Sequence, residues 1–248
     1  MRRLGHLTYT EVRDLDPGAL VAILPVGAIE AHGPHLPLET DVIIADAMAE
    51  SGAEQLAKAG IESVILPPLT YTSAAFARNF PGTLSLDAEA VERHLFELGS
   101  ALAVQGFRAL AIANAHLDPG HLASIRGAIE ALEQAAPELS IAFPDITRRP
   151  WGGRLTEEFR SGACHAGCYE GSIVLARRPE LVRQDVAAAL TDNPVSLSTA
   201  VRDGLDSFET AGGPDAYFGD PAAATAEEGQ ATITALGRIL FEAVAALD

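Results

Sequence analysis

Residues 24–41 read LPVGAIEAHGPHLPLETD and overlap the end of an apolar run at 20–26. The apolar run is typical of a buried strand. After this run, two carboxylates and one imidazole lie within twelve residues, at Glu30, His32 and Asp41. This donor set suits Zn²⁺ or Mn²⁺. Because open α/β sheets bind ligands beyond the carboxyl ends of their strands, the stretch predicts a metal site at that edge. The alternative is a Pro/Gly-rich surface loop with a few polar side chains.

Apolar runs alternate with helix-periodic segments along the rest of the chain. Strands are predicted at 20–26, 62–66, 109–113 and 140–143, and helices at 42–59, 87–105, 120–135 and 222–247. Asp87 is placed as a helix N-cap, and Gly60 and Gly106 stand where helix C-caps are expected. Such alternation predicts an α/β fold, a three-layer α/β/α sandwich with a mainly parallel central sheet. No linker or repeat divides the sequence, so residues 1–248 are expected to form a single domain.

The charge balance restricts the classes of partner. Lys and Arg total 17 against 34 Asp and Glu, which gives a formal net charge of −17. Such a chain is not expected to bind nucleic acid or an anionic membrane, and no apolar run reaches the roughly 18 residues of a membrane span. No apolar segment follows the two N-terminal arginines, so a cytoplasmic location is expected. Cys164 and Cys168 are predicted to be buried free thiols, because a structural zinc site needs four ligands.

A second cluster follows the strand predicted at 109–113, where residues 114–121 read NAHLDPGH. Parallel strands end at one edge of a sheet, so His116 and Asp118 are expected to lie near the first cluster. The alternative for Asp118 is an N-cap of the helix that begins at Pro119. His121 lies one step into that helix and is expected to be a partly buried or solvated histidine rather than a ligand.

A third cluster, HAGCYEGS at 165–172, precedes another apolar run. His165 and Glu170 are candidate site residues, and the glycines at 167 and 171 would let the backbone approach a ligand closely. Taken alone, the cluster is equally well explained by a core histidine and a first-turn glutamate that interacts with a helix N-terminus. The motifs of two other enzyme classes are missing: the sequence contains neither the G-x-S-x-G of serine hydrolases nor a nucleotide-binding P-loop.

Taken together, the three clusters resemble the creatininase family. Two further stretches match it: FPGT with LSL at 80–86, and GDP at 219–221 with ATAEEG at 224–229. The resemblance covers residues 24–229 and its five parts occur in the family's order. It implies a creatininase-like α/β fold and a hydrolase that cleaves an amide C–N bond with two divalent ions, Zn²⁺ and/or Mn²⁺. It also implies a homo-oligomer, since creatininase forms a hexamer.

The resemblance carries a set of metal ligands onto this sequence. These are Glu30, His32, Asp41, His116, Asp118 and Glu170. Asp41 would bridge two ions. Glu30 and Asp118 are expected to complete an oxygen-rich position that favours Mn²⁺, while His32, His116 and Glu170 are expected at a position that favours Zn²⁺. Asp118 is one methylene shorter than the glutamate that creatininase has there.

The resemblance also implies the catalytic and substrate residues. His165 would protonate the leaving nitrogen, and Glu170 is a further catalytic candidate. Ser73, Trp151 and Tyr169 are the candidates for substrate contacts, with a loop anchor as the alternative for Trp151. The resemblance therefore implies a binuclear metal-dependent amidohydrolase acting on a cyclic or linear amide of a small molecule, that is, on a non-peptide C–N bond.

Other activities of the same family stay open. They are a metallopeptidase, a deformylase, and a metal-poor binding subunit without catalysis. Phe76 and Ala77 stand where many relatives have a Glu-His pair, and Gly171 replaces a threonine of the family. These departures lie where the substrate is selected, so the sequence does not choose among the possible amides.

Overall fold

The structure is a computed structural model, and it describes residues 1–247. Four strands form a parallel sheet in the order β2-β1-β3-β4. They are β1 (Val21–Val26), β2 (Ser63–Ile65), β3 (Ala109–Asn114) and β4 (Ser140–Ala142). Each lies within one or two residues of its predicted bounds. The predicted parallel sheet is therefore confirmed.

The helices that cover the sheet are α1 (Tyr9–Arg13), α2 (Thr40–Lys58), α3 (Ala88–Val104), α4 (Pro119–Ala135), α5 (Glu157–Ser161), α6 (Cys168–Arg177), α7 (Gln184–Ala187), α8 (Leu197–Arg202) and α9 (Ala226–Ala245). The four long predicted helices are α2, α3, α4 and α9. Asp87 caps α3 through the backbone N–H of Glu89, and both Gly60 and Gly106 have positive φ angles of 77° and 78° just past α2 and α3. The helix predicted from 222 begins four residues later, because the Thr225 side chain caps α9.

The two faces of the sheet pack against different helices. Along β3, the side chains alternate between Ala111 on one face and Leu110 and Ile112 on the other. The alanine face packs with α2, α6 and α9, and the leucine face packs with α3 and α4. Strands that are covered on both faces read as continuous apolar runs, which is why β1 and β3 stood out in the sequence.

The register of the sheet brings the ends of two strands together. Val26, the last residue of β1, pairs with Asn114, the last residue of β3. The loops that follow both strands therefore leave the same edge at the same level. Within residues 1–247, no helix is both long and apolar enough to cross a bilayer. Both cysteines are free; Cys168 is buried as predicted, whereas Cys164 is only partly buried.

Candidate metal centre

The first loop carries Glu30 and His32 and leads into the first turn of α2, where Asp41 lies. Gly27 is needed for this path, since a Cβ there would lie 2.6 Å from the Val42 nitrogen. The backbone N–H of Glu30 donates to the Leu38 carbonyl at 3.0 Å, which closes the loop. The glycine and this bond bring the loop and the helix turn against each other, so all three polar side chains are buried together.

The second loop holds His116 through its own neighbours. The Asn114 side chain donates to the His116 carbonyl at 2.7 Å, and His121 Nε2 lies 2.9 Å from the Asn114 side-chain oxygen. His121 is thus a fully buried histidine, whereas the sequence predicted a partly buried or solvated one. The His116 ring is oriented in turn by the Ser73 carbonyl, which accepts from Nε2 at 2.8 Å.

The third segment supplies His165 and, from the first turn of α6, Glu170. Ala166 between them has a positive φ of 54°, and its N–H donates to Glu170 Oε2 at 2.6 Å. The His165 ring lies between two other rings, with centroids 4.3 Å from His32 and 4.2 Å from Phe208. Three separate segments therefore converge on one point.

The two oxygens of Asp41 face different histidines. Its Oδ1 lies 3.3 Å from His32 Nε2, and its Oδ2 lies 2.9 Å from His116 Nδ1. Glu30 Oε1 is 3.2 Å from the same His116 nitrogen, and Glu170 Oε2 is 3.5 Å from His32 Nε2. Asp41 is thus the shared centre of two donor sets.

Three groups of donor atoms could each hold a cation, with ligand atoms within 4.8 Å of one another. They are Glu30–Asp41–His116, His32–Asp41–Glu170 and Glu30–His32–His165. The first two share Asp41, which fits the predicted bridging carboxylate. The partition differs from the expected one, however, because His116 accompanies Glu30 rather than His32. The reason is spatial, since the loop after β3 lies beside Glu30.

Each histidine of the cluster presents one free ring nitrogen to it. His32 donates from Nδ1 to the Glu30 carbonyl at 3.1 Å, and His165 donates from Nε2 to the Ala31 carbonyl at 2.9 Å. His116 uses the Ser73 carbonyl in the same way. Such backbone acceptors fix the tautomer and direction of metal-binding histidines. Among the described residues, His32 Nε2 and Glu30 Oε2 are buried without a hydrogen-bond partner, as expected of atoms that ligate a cation.

Burial and neighbouring charges shift the pKa values of the residues in the cluster. Burial lowers the pKa of His32, but Asp41 and Glu170 outweigh it and raise the pKa to about 10. The pKa of Asp41 is lowered despite its burial, chiefly by His32 and His116. Burial raises the pKa of Glu170 to about 8, and burial together with His32 lowers that of His165 well below its usual value. Carboxylates this deeply buried need cations beside them, and metal ions would be suitable ones.

The cluster forms one wall of a cavity of about 420 Å³. Glu30, Asp41, His116, His165 and Glu170 line it on the polar side. The remaining wall includes apolar side chains from several distant segments: Phe76, Leu117, Leu122, Leu197, Val201 and Phe208. The last three were not identified from the sequence, because α8 and the loop after it carry no motif. Their place in the wall depends on how this region folds back over the sheet edge.

Among the described residues, Asp118 is not a member of the three donor groups, and its expected role as a metal ligand stays a prediction. Its Oδ1 accepts from the backbone N–H of Gly120 at 2.8 Å and of His121 at 3.3 Å, so it caps α4. Its Oδ2 accepts from the Phe76 N–H at 3.1 Å. The N-cap alternative describes this residue, which lines the cavity beside the cluster.

The three candidate substrate residues lie outside the cavity lining among the described residues. Ser73 contributes its carbonyl to the orientation of His116. The Tyr169 ring packs at 4.9 Å from that of Phe159 in the core, and the Arg154 guanidinium stacks 5.9 Å from the Trp151 ring. Trp151 and Tyr169 both pack with the core cluster on the alanine face of the sheet, and the roles of all three residues toward a substrate stay predictions.

Comparison with known proteins agrees with the geometry. The model of the creatininase family, described as creatinine amidohydrolase, matches residues 5–244. A mycofactocin precursor peptide peptidase of Mycolicibacterium smegmatis is 34% identical over 233 residues, which cover 92% of this chain and 84% of the relative. A solved creatininase described as the Mn form has a TM-score of 0.74 at 24% identity, and a mutant creatininase of Zn-Zn type gives the same values. Each alignment with these two structures covers 97% of this chain and 96% of the other. With a family model that spans nearly its whole length and a buried His/Asp/Glu cluster at its sheet edge, the chain belongs to the creatininase family.

Proposed function

We propose that this protein is a binuclear metal-dependent hydrolase and that the bond it cleaves is a peptide amide. The observation that carries the metal centre is the position of Asp41, whose two oxygens face the two histidines of separate donor groups. The peptide bond is favoured over the small-molecule amide expected at first, because a relative 34% identical to this chain is a peptidase. The creatininase-like fold is compatible with both, since fold does not determine substrate.

In this proposal each ion has three protein donors. Glu30, Asp41 and His116 would hold one ion, and His32, Asp41 and Glu170 would hold the other. Their mixed oxygen and imidazole donors suit Zn²⁺ or Mn²⁺, and creatininases of the same fold include a Mn form and a Zn-Zn form. When bound, a pair of such ions polarises the scissile carbonyl and lowers the pKa of a water molecule.

The proton transfer falls to His165. Its Nε2 is held by the Ala31 carbonyl, so its Nδ1 faces the cluster, 3.9 Å from Glu30 Oε1. His165 accepts a proton at Nδ1 from the attacking water and returns it to the leaving nitrogen. Phe208 packs on the outer side of the ring and keeps bulk water away from this transfer. Glu170 acts through the metal site rather than as a separate acid or base.

The test combines metal content with a substrate panel. Protein purified without chelator is analysed for Zn and Mn, and the loaded enzyme is assayed with short peptides, formamides and cyclic amides including creatinine. We expect two ions per chain and hydrolysis of peptides. Substoichiometric metal with no hydrolysis of any amide would instead identify a binding subunit. Hydrolysis of cyclic amides alone would contradict the peptide assignment and leave the metal centre intact.

The Asp41→Asn variant tests the bridging role. Because one carboxylate serves both donor groups, we expect the loss of both ions and a loss of activity beyond the about 10- to 100-fold typical of residues that only support a ligand. Asp192→Asn, at an exposed aspartate, is the matched control and is expected to keep both ions. Retention of two ions in Asp41→Asn would exclude the bridge.

A further inference from the structure

Glu158, on the short helix α5, is a partly buried carboxylate outside the cavity. Three backbone amides donate to it. Its Oε1 accepts from Tyr169 at 2.7 Å, and its Oε2 accepts from Cys168 at 3.0 Å and from Asp220 at 2.8 Å. A carboxylate that accepts several backbone N–H groups is held in a defined position, since such charge-assisted bonds are roughly twice as strong as neutral ones.

Two glycines make the space for this carboxylate. A Cβ at Gly167 would lie 2.6 Å from Glu158 Oε1, and a Cβ at Gly219 would lie 2.2 Å from Oε2. A side chain at either position would collide with the carboxylate. The sequence around α6 is thus shaped to admit a carboxylate from another element.

The carboxylate replaces a missing helix cap. Gly167 is the N-cap residue of α6 and offers no side chain to the free N–H groups of the first turn. Such N–H groups need an acceptor, and a negative charge at this end of a helix is stabilising. Glu158, which lies ten residues before Cys168, supplies both the acceptor and the negative charge. Burial raises the pKa of Glu158, so the chain retains a carboxylate here against a desolvation cost.

The capped turn is the one that carries the metal donor. Glu170 lies two residues after Cys168, and the Ala166 N–H donates to its carboxylate at 2.6 Å. The segment held through Asp220 also touches the site, since the Phe218 N–H donates to the His165 carbonyl at 2.7 Å. Glu158 therefore joins the two backbone segments on either side of His165 and Glu170.

We propose that Glu158 is a positioning residue that holds the first turn of α6 so that Glu170 completes the His32–Asp41–Glu170 donor group. The Glu30–Asp41–His116 group contains no residue of α6 and does not depend on this cap. Loss of the Glu158 carboxylate therefore weakens one metal position and spares the other. The inference rests on the proposed function in one respect, because it takes Glu170 as a metal donor.

Titration of the metal-free protein with Zn²⁺ tests this selectivity. In Glu158→Gln the carboxylate becomes a neutral amide. An NH₂ group, which is a donor, then takes the place of one acceptor oxygen and faces a backbone N–H. We expect one ion to bind as in the wild type and the second to bind about 10- to 100-fold more weakly, the range for residues that support a ligand. Glu228→Gln is the matched control. Glu228 contacts the Cys168 thiol at 3.3 Å beside the same turn but no backbone N–H of α6, and both ions should bind normally.

A double variant identifies the affected position. If Glu158 acts through Glu170, then Glu158→Gln adds little to the metal loss of Glu170→Gln, whereas independent effects add. Full additivity would overturn the proposal. Equal weakening of both ions, or two ions of wild-type affinity in a protein that is merely less heat-stable, would overturn it as well.

Further measurements cover a variant that fails to fold, and distinguish failure of this inference from failure of the proposed function. If Glu158→Gln does not fold, Glu158→Asp decides, since it keeps the negative charge but withdraws the carboxylate by one methylene from the backbone N–H groups of Cys168 and Tyr169. The same selective loss is expected. If the wild type itself binds no Zn²⁺, the proposed function fails together with this inference. If the wild type binds two ions and the variants do also, only the inference fails.

Discussion

His165 shows how a single residue is placed for one task. Its ring is held at Nε2 by a backbone carbonyl and lies between His32 and Phe208. It also belongs to a third possible donor group, with Glu30 and His32. The proposed ions already have three donors each without it, so its free nitrogen is available for proton transfer. A ligand role and a proton-transfer role predict different properties for the His165→Ala variant.

We expect His165→Ala to keep both ions and to lose about 10²- to 10⁴-fold in turnover, the usual contribution of general acid–base catalysis. Metal content and kcat on the identified substrate are the measurements. His94→Ala, at an exposed histidine, is the control for removal of an imidazole. Loss of an ion from His165→Ala would make the residue a ligand. Unchanged turnover would make it structural.

At the scale of the elements, three carboxylates at or beside the site lie at the N-termini of helices. Asp41 lies in the first turn of α2, Asp118 caps α4, and Glu170 lies in the first turn of α6. Helix N-termini attract carboxylates whether or not a metal is near. Asp118 illustrates the consequence, because its oxygens are already engaged by three backbone N–H groups.

We therefore predict that Asp118→Ala retains both metal ions and loses about 1 to 2 kcal/mol in the free energy of unfolding, as for loss of an N-cap. Asp118→Asn, whose amide oxygen can still cap the helix, should recover most of that stability. Denaturant unfolding and metal analysis measure the two effects. Asp87→Ala is the matched control, since it removes an N-cap remote from the cluster. Release of one ion from Asp118→Ala would restore the earlier assignment of Asp118 as a ligand.

For the whole molecule, ion pairs connect elements that the sheet does not join. Asp145, which follows β4, is engaged by Arg126 of α4 and by the Thr147 hydroxyl and backbone N–H. Burial raises the pKa of Asp145, but the bonds from Thr147 and Arg126 outweigh this and lower it overall.

The homo-oligomer implied by the family resemblance stays a prediction at this scale.

The lowered pKa of Asp145 makes its contribution to stability pH-dependent. A folded-state pKa below the unfolded value of about 3.9 stabilises the fold above that pH, and the stabilisation is lost as the pH falls through the folded value. We expect Asp145→Asn to cost about 1 kcal/mol at pH 7, with the difference from wild type shrinking below about pH 4. Unfolding between pH 3 and pH 7 measures it. Asp14→Asn, in an exposed ion pair, should show almost no difference, and a constant difference for Asp145→Asn would exclude the mechanism.

The sequence by itself was sufficient for the parts of the fold that have local patterns. Buried parallel strands read as apolar runs and long helices show their caps, so β1, β3 and the helix α3 were predicted closely. Glu30, His32 and His116 could be singled out because they lie in the loops that follow β1 and β3, whose ends share an edge of the sheet, and Asp41 because it closes the same short motif as Glu30 and His32.

Only the tertiary structure decided how these donors are divided. The pairing of His116 with Glu30 depends on a distance of 3.2 Å between side chains of two separate loops, which spacing along the chain does not encode. The same holds for the engagement of Asp118 by the Phe76 backbone, for Phe208 in the cavity wall and for Glu158 at the start of α6. These contacts arise when packed segments meet, whereas periodicity and capping are properties of a single segment.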